Sequence, residues 1–162
     1  MKILFVQTGG TIDKDYRQGA LSYNFEIASP AVERILTQAG PSFTFQITSI
    51  VKKDSMDITD EDRQNILVAC RDSDENYIII THGTDTMKQT AEVLTSIHNK
   101  VIILTGASRP ERFTNSDACF NIGTAVGAVE HCKPGVYIAM SGRVLSWDTI
   151  QKDPTSGMFV EK

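Results

Sequence analysis

At 162 residues, with 41% hydrophobic and 22% charged side chains, the chain is one domain's worth of sequence. That is long enough to bury roughly 68–70% of its unfolded surface without disulfide or metal staples. The formal net charge of −4 and a longest basic run of only Lys52-Lys53 argue against nucleic acid as the main partner, because phosphate binding needs an excess of cations. No stretch approaches the ~18 consecutive apolar residues of a membrane span, so no membrane partner is expected.

The opening Met1-Lys-Ile-Leu-Phe-Val leads into glycines without a long apolar core or a small-residue cleavage site, so a secretory leader is not expected. Cys70, Cys119 and Cys132 form no CxxC pair, and an odd number of scattered thiols suits a reducing cytoplasm, the expected location. Cys70 and Cys119 fall in helical patterns and read as small core residues. No His/Asp/Glu/Cys cluster has metal spacing, so neither a metal nor another cofactor is expected.

Lys2 to Gln7 reads as a first buried strand that runs directly into Thr8-Gly-Gly-Thr-Ile12. Two glycines after a buried strand permit a sharp turn or a close backbone approach to a ligand. Neither GxGxxG nor GxxxxGKS/T is completed, so a nucleotide-binding reading gains little. Residues 13–24, polar and aperiodic with Gly19 and two tyrosines, read as a hairpin or a mobile loop. A helix is expected from Ser29-Pro30, with Val32, Ile35, Leu36 and Ala39 on one face and Gly40-Pro41 ending it. Phe43 to Val51 alternates as a second strand, followed by the polar Asp54-Ser-Met-Asp-Ile-Thr59. Thr59-Asp-Glu-Asp62 opens the next helix with acid in its first turn, which suits the helix dipole. Ile66, Leu67 and Cys70 continue it to a break at Asp72-Ser-Asp74.

Ile78 to Ile80 form a third strand, after which Thr81-His-Gly-Thr-Asp-Thr86 crowds hydroxyls, an imidazole and a carboxylate into one turn. Met87, Ala91, Leu94 and Ile97 then share one face of a helix. Capping requires one hydroxyl or carboxylate residue, and this turn carries four. Strand ends in open α/β sheets bind ligands, and helix N-termini there attract anions. Val101 to Thr105 is a fourth strand ending in Gly106-Ala-Ser-Arg-Pro110. The helix from about Ser116 to His131 is rich in small residues, and Val136 to Met140 is a fifth strand. After Gly142, Val144 to Phe159 has no strong period. Strands separated by helical patterns imply parallel pairs joined by right-handed crossovers, hence a single doubly wound, flavodoxin-like three-layer α/β domain with a mostly parallel sheet. A strand order of 2-1-3-4-5 places the ends of strands 1 and 3, carrying TGGTI and THGTDT, across one crevice.

TGGTI (8–12), DSMDIT (54–59), THGTDTM (81–87) and GASRP (106–110) resemble, in order and spacing, the bacterial-type L-asparaginases. The resemblance covers nearly the whole chain but corresponds to the N-terminal domain of that family, whose typical member is about twice this length. It implies an amidohydrolase that cleaves the side-chain amide of L-asparagine, or a similar small amide, to aspartate and ammonia through a threonine acyl-enzyme, working as a homo-oligomer, a dimer or tetramer. By the same resemblance Thr11 is the nucleophile and Tyr23 its flap partner, with Tyr16 the poorer match. Ser55 holds the substrate α-carboxylate with help from Gly10 or nearby backbone amides, and Asp54 belongs to the same substrate-binding segment. Thr84 is the second catalytic threonine, Asp85 the carboxylate for the substrate amino group, and Lys152 the lysine that completes a Thr-Lys-Asp set. Asn121 receives no role.

Each residue also has a plainer reading. Thr11 after two glycines can be a cap or turn residue, Tyr23 can be half-buried packing, and a lone lysine such as Lys152 is ordinarily a surface group. His82 reads as a satisfied structural histidine rather than a base or ligand. The GxSxG elbow of a Ser-His-Asp hydrolase is absent from the sequence. The alternatives are a non-catalytic domain that binds asparagine or aspartate, sharing Ser55 and Asp85 with the catalytic reading, and a flavodoxin-like nucleotide module, which needs a phosphate cradle.

Overall fold

The computed structural model describes residues 1–16 and 25–162. In chain order it contains β1 (Lys2–Gly9), β2 (Lys14–Tyr16), β3 (Phe25–Ile27), α1 (Ala31–Ala39), β4 (Thr44–Lys53), α2 (Asp60–Asp72), β5 (Tyr77–Thr81) and α3 (Met87–Leu94). There follow β6 (Val101–Thr105), α4 (Ala118–Val129), β7 (Gly135–Met140), β8 (Arg143–Ser146), β9 (Ile150–Lys152) and β10 (Phe159–Glu161). The main sheet runs β4-β1-β5-β6-β7-β8, every neighbouring pair parallel except β7–β8. Without β8, this is the order 2-1-3-4-5 expected from the sequence, and the fold is a mostly parallel α/β sheet with helices on both faces.

The continuous apolar strands are explained by burial on both sides. In β5, Ile78 and Ile80 join Leu4, Val6, Ile102 and Leu104 in a core covered by Ile66 and Cys70 of α2 and Met87, Ala91 and Leu94 of α3. Ile79, between them, points the other way and joins Ile3, Phe5 and Ile103 beneath Val32, Ile35 and Leu36 of α1 and Ile122, Ala125 and Val129 of α4. A strand's period of two thus feeds two cores at once, which leaves no polar position within the run. The apolar faces read for α1 and α3 pack as expected, except that Ala39, at the last turn of α1, is exposed.

Two features differ from the sequence reading. Residues 144–159, without a clear period, contain the antiparallel edge strand β8 and a separate β9–β10 hairpin. These strands have only three or four residues, too few for an alternation to register. The β7–β8 reversal is made by Ser141 and Gly142, both with positive φ, as a tight hairpin turn demands. Cys119, read as a core residue, is instead exposed on α4, while Cys70 is fully buried. The helical period places residue 118, not 119, against the sheet. The reading of residues 13–24 as a hairpin or loop is met at its two arms, where β2 and β3 pair from Lys14↔Ile27 to Tyr16↔Phe25. Among the described residues, no helix is long and apolar enough to cross a membrane.

α2 starts with a reciprocal capping box: the Asp62 N–H donates to Thr59 Oγ1 (3.2 Å) and the Thr59 N–H donates to Asp62 Oδ2 (2.8 Å). Lys53 Nζ lies 2.6 Å from the same carboxylate. Thr59→Ala is therefore expected to destabilise the fold by about 1 kcal/mol in urea denaturation. An unchanged midpoint would show that Lys53 and Asp62 hold this helix end without the threonine.

Candidate active site

The parallel register of β1 and β5, with Gln7 opposite Thr81, brings the turns that follow them side by side. Gly10 has φ +83°, and a Cβ there would overlap the backbone N and Cα of Gly83. Gly83 is equally confined, since its own Cβ would lie 2.6 Å from Ser55 Cβ and 2.7 Å from Ser55 Oγ. Two glycines without side chains allow three chain segments to meet at backbone distance. The Gly10 N–H donates to the Lys53 carbonyl (3.0 Å), and Thr86 Oγ1 donates to the Ser55 carbonyl (2.6 Å). TGGTI, DSMDIT and THGTDT therefore form one cluster.

Thr11 opens a 3-10 turn (Thr11–Asp13) and is partly buried, beside the Gly10–Gly83 contact. Ser55 is 1% exposed, and its Oγ has no hydrogen-bond partner among the described residues. A buried hydroxyl without a partner carries a desolvation penalty of about 1–3 kcal/mol, which a polar ligand would relieve. Asp54, at the start of that turn, is engaged by Lys14 Nζ at 2.6 Å, and the hydrogen bond from this ammonium holds its carboxyl below the usual range. The Asp54–Lys14 pair clamps the β2–β3 hairpin onto the second-strand turn.

Thr84 and Asp85 follow Gly83 directly. Lys152 reaches them from β9, donating to Thr84 Oγ1 (3.0 Å) and Asp85 Oδ1 (2.7 Å). The β9–β10 hairpin that presents this lysine is seated by Ile150 and Phe159, both buried against the core of α2 and α3. Lys88 on α3 also donates to the Ile150 carbonyl (2.8 Å). A cleft of about 340 Å³ adjoins the trio, lined by Thr84, Asp85, Lys88, Gln89, Lys152 and Phe159. A larger apolar groove, about 520 Å³, lies between α1 and α4 and contains none of the threonine turns.

His82 is fully buried within this architecture. Its Nδ1 is 2.8 Å from the Gly83 carbonyl and its Nε2 2.8 Å from Thr90 Oγ1. A carbonyl can only accept, so Nδ1 carries the hydrogen and Nε2 accepts from the Thr90 hydroxyl. Burial lowers its pKa to about 4, so it is neutral at physiological pH and serves as the structural residue expected. Asn121, given no role by the sequence, staples two loops: Nδ2 donates to the Gly106 carbonyl (3.0 Å) and Oδ1 accepts from the Ser141 N–H (3.1 Å).

The structure thus brings Gly10, Thr11, Ser55, Thr84, Asp85 and Lys152 to one end of the sheet, with Asp54 beside them in an ion pair. Tyr23 lies outside the described residues; Tyr16 is half exposed on the hairpin and stacks on Phe25 at 4.6 Å between ring centroids. Sequence reasoning missed Lys14 and Asp13, both inside a segment read only as a hairpin or a mobile loop. Asp13 is buried, and desolvation raises its carboxyl to about pH 6 against hydrogen bonds from the Ala31 N–H and the Gln7 and Thr81 side chains, which act in the opposite direction. The one available signal was an acidic residue placed directly after the apolar Ile12. Among the described residues, no group of three or more His, Cys, Asp or Glu side chains is arranged to hold a metal ion.

A protein-family model described as "Asparaginase, N-terminal" matches residues 2–159. The L-asparaginase of Thermococcus kodakarensis is 32% identical over 98% of this chain and 49% of its own length. A glutamyl-tRNA(Gln) amidotransferase component of Methanococcus vannielii is 34% identical over 88% of this chain and 34% of its own length. The solved structure of the thermostable Thermococcus kodakarensis L-asparaginase superposes with a TM-score of 0.86 at 29% identity, covering 99% of this chain and 51% of that one. The chain spans about half the length of the L-asparaginase it matches.

Gly83→Ala drives a methyl into Ser55, so a loss of about 1–3 kcal/mol is expected in denaturant unfolding; a neutral effect would mean the three turns are not packed as described. Because folded Asp13 binds its proton more tightly than the unfolded chain, its favourable contribution is complete below about pH 3.8 and is lost as pH rises through about 6. Asp13→Asn should therefore be more stable than the parent by about 3 kcal/mol at pH 7.5, the gap closing towards pH 4. A gap independent of pH in urea titrations would refute the assignment.

Proposed function

The chain belongs to the asparaginase N-terminal domain family, and on that premise we propose that it is an amidohydrolase that cleaves the side-chain amide of L-asparagine, or a similarly small amide, to aspartate and ammonia. The observation that carries the reading is the hydrogen-bonded set Lys152–Thr84–Asp85 on the turn whose Gly83 lies against Gly10, next to Thr11. In this reading Thr11 Oγ attacks the amide carbonyl, the carbon–nitrogen bond breaks, and an ester to Thr11 is left. The hydroxyl proton of Thr11 ends on the departing nitrogen, which leaves as ammonia. Water then attacks the ester, frees aspartate and returns the hydroxyl.

Thr84 and Lys152 supply the polar relay for these proton movements, and backbone N–H groups of the two glycine turns face the oxyanion. The substrate α-carboxylate takes as a donor the Ser55 hydroxyl, which is buried and unpartnered among the described residues. The substrate ammonium shares Asp85, whose carboxylate has acceptor capacity beyond its contact with Lys152. The protein is proposed to act in the cytoplasm as a homo-oligomer, and a monomeric mass in light scattering would contradict the latter.

Ammonia release from L-asparagine and L-glutamine by the purified protein tests the reading. Turnover is expected, reduced at least ~10³-fold by Thr11→Ala and roughly 10²–10⁴-fold by Lys152→Met. Absence of turnover on every small amide, together with calorimetric binding of aspartate, would replace this reading with a binding domain.

A further inference from the structure

Asp13 stands outside the two-threonine chemistry, yet its side chain joins three elements around the Thr11 turn. Oδ1 accepts from the Ala31 N–H in the first turn of α1 at 2.7 Å, and Oδ2 accepts from Thr81 Oγ1 at the end of β5 at 3.3 Å. The Gln7 side chain, on β1, donates as a third partner. The backbone repeats the pattern: the Asp13 N–H donates to the Gly10 carbonyl (3.2 Å), closing the turn that carries Thr11, while the Asp13 carbonyl accepts from the Ala28 N–H (2.9 Å).

The Ala31 N–H is one of the orphan donors of a helix N-terminus, so the bond it makes to a carboxylate is assisted both by charge and by the helix dipole. Thr81, in turn, is three residues before Thr84 on the neighbouring turn. One buried carboxylate therefore ties the Thr11 turn to a helix and to the strand end that leads to the Thr84–Lys152 pair.

We propose that Asp13 is a positioning residue of the active site, holding the Thr11 hydroxyl in register with Thr84 through its bonds to Ala31 and Thr81. An asparagine would accept from the Ala31 N–H without the burden of a buried charge, so the carboxylate costs stability relative to that isostere. Such a cost fits a group that serves the site rather than the core. The surrounding charges are already engaged. Arg34, on the same helix, acts on Asp13 through space and lies 2.6 Å from Glu111. Lys14 is paired with Asp54, and His82, behind Thr81, is neutral above about pH 4. Titration of Asp13 itself is therefore the event that a probe on Thr11 would register near neutrality.

The consequence for turnover rests on the amidohydrolase reading, whereas the coupling of Asp13 to Thr11 does not. The test accordingly has two arms on the full chain. In the first, threonine methyl-labelled protein is followed by NMR from pH 4.5 to 8; the Thr11 γ-methyl resonance is expected to move with a midpoint near 6 and to lose that titration in Asp13→Asn. A Thr11 signal that is flat in the parent, or that titrates unchanged in Asp13→Asn, overturns the proposal whether or not the protein hydrolyses amides. In the second, Asp13→Ala is expected to lower kcat roughly ten- to a hundredfold with KM changed by less than about threefold, and Asp13→Asn to recover part of that loss. A kcat in Asp13→Ala within about twofold of the parent also overturns it. Where Asp13→Ala fails to fold, the methyl titration of Asp13→Asn decides. A parent protein that shows the methyl titration but no turnover refutes the amidohydrolase reading and leaves Asp13 as the anchor of the Thr11 turn.

Discussion

The close approach of Gly10 to Gly83 is the constraint from which the site follows. Strands β1 and β5 lie side by side in parallel, so both turns leave the sheet at the same edge and compete for the same volume. Any Cβ at Gly10 would strike the Gly83 backbone, and any Cβ at Gly83 would strike Ser55. With both side chains absent, hydroxyl-bearing turns from three distant stretches of the chain meet at backbone distance. The two cores beneath make this possible because they fix the strands from both faces, leaving the turns little freedom to separate.

On the proposed reading, the polar groups at the site are arranged for chemistry rather than stability. The Lys152–Asp85 pair has side chains 36% and 54% exposed, so solvent screening reduces its contribution to about 0–1 kcal/mol. The pair also aims Lys152 Nζ at the Thr84 hydroxyl, 3.0 Å away. Behind it, His82 is locked between Gly83 and Thr90 as a neutral group, giving the turn a rigid base without adding charge. Asp13 is the counterexample: a buried carboxylate with no cation hydrogen-bonded to it among the described residues, held by neutral donors. Buried ionisable groups of that kind concentrate at functional sites, where they shift pKa values and fix geometry.

Much of this architecture was readable from residue order. Long apolar runs such as Ile78 to Ile80 announce strands buried on both sides, and the polar surplus after them marks the sheet edge where ligands bind. Lys152 was legible by resemblance alone, because the short β9 and β10 strands that deliver it carry too few residues for a period. The buried role of Asp13 was hidden for another reason: a loop-like stretch gives no clue to which of its acids turns inward. Its partners Ala31 and Thr81 are 18 and 68 residues away, contacts that only the folded chain brings together. Cys119 shows the limit of helical period as a guide, since a one-position rotation moved it from core to surface.

The central claim is that the turns after β1 and β5 make one site. It is tested most directly by a crystal structure with L-aspartate bound. The ligand is predicted to lie with one carboxylate against both Thr11 and Thr84, the other against Ser55, and its ammonium on Asp85. Aspartate bound through only one of the two threonine turns, or outside both, would contradict the account.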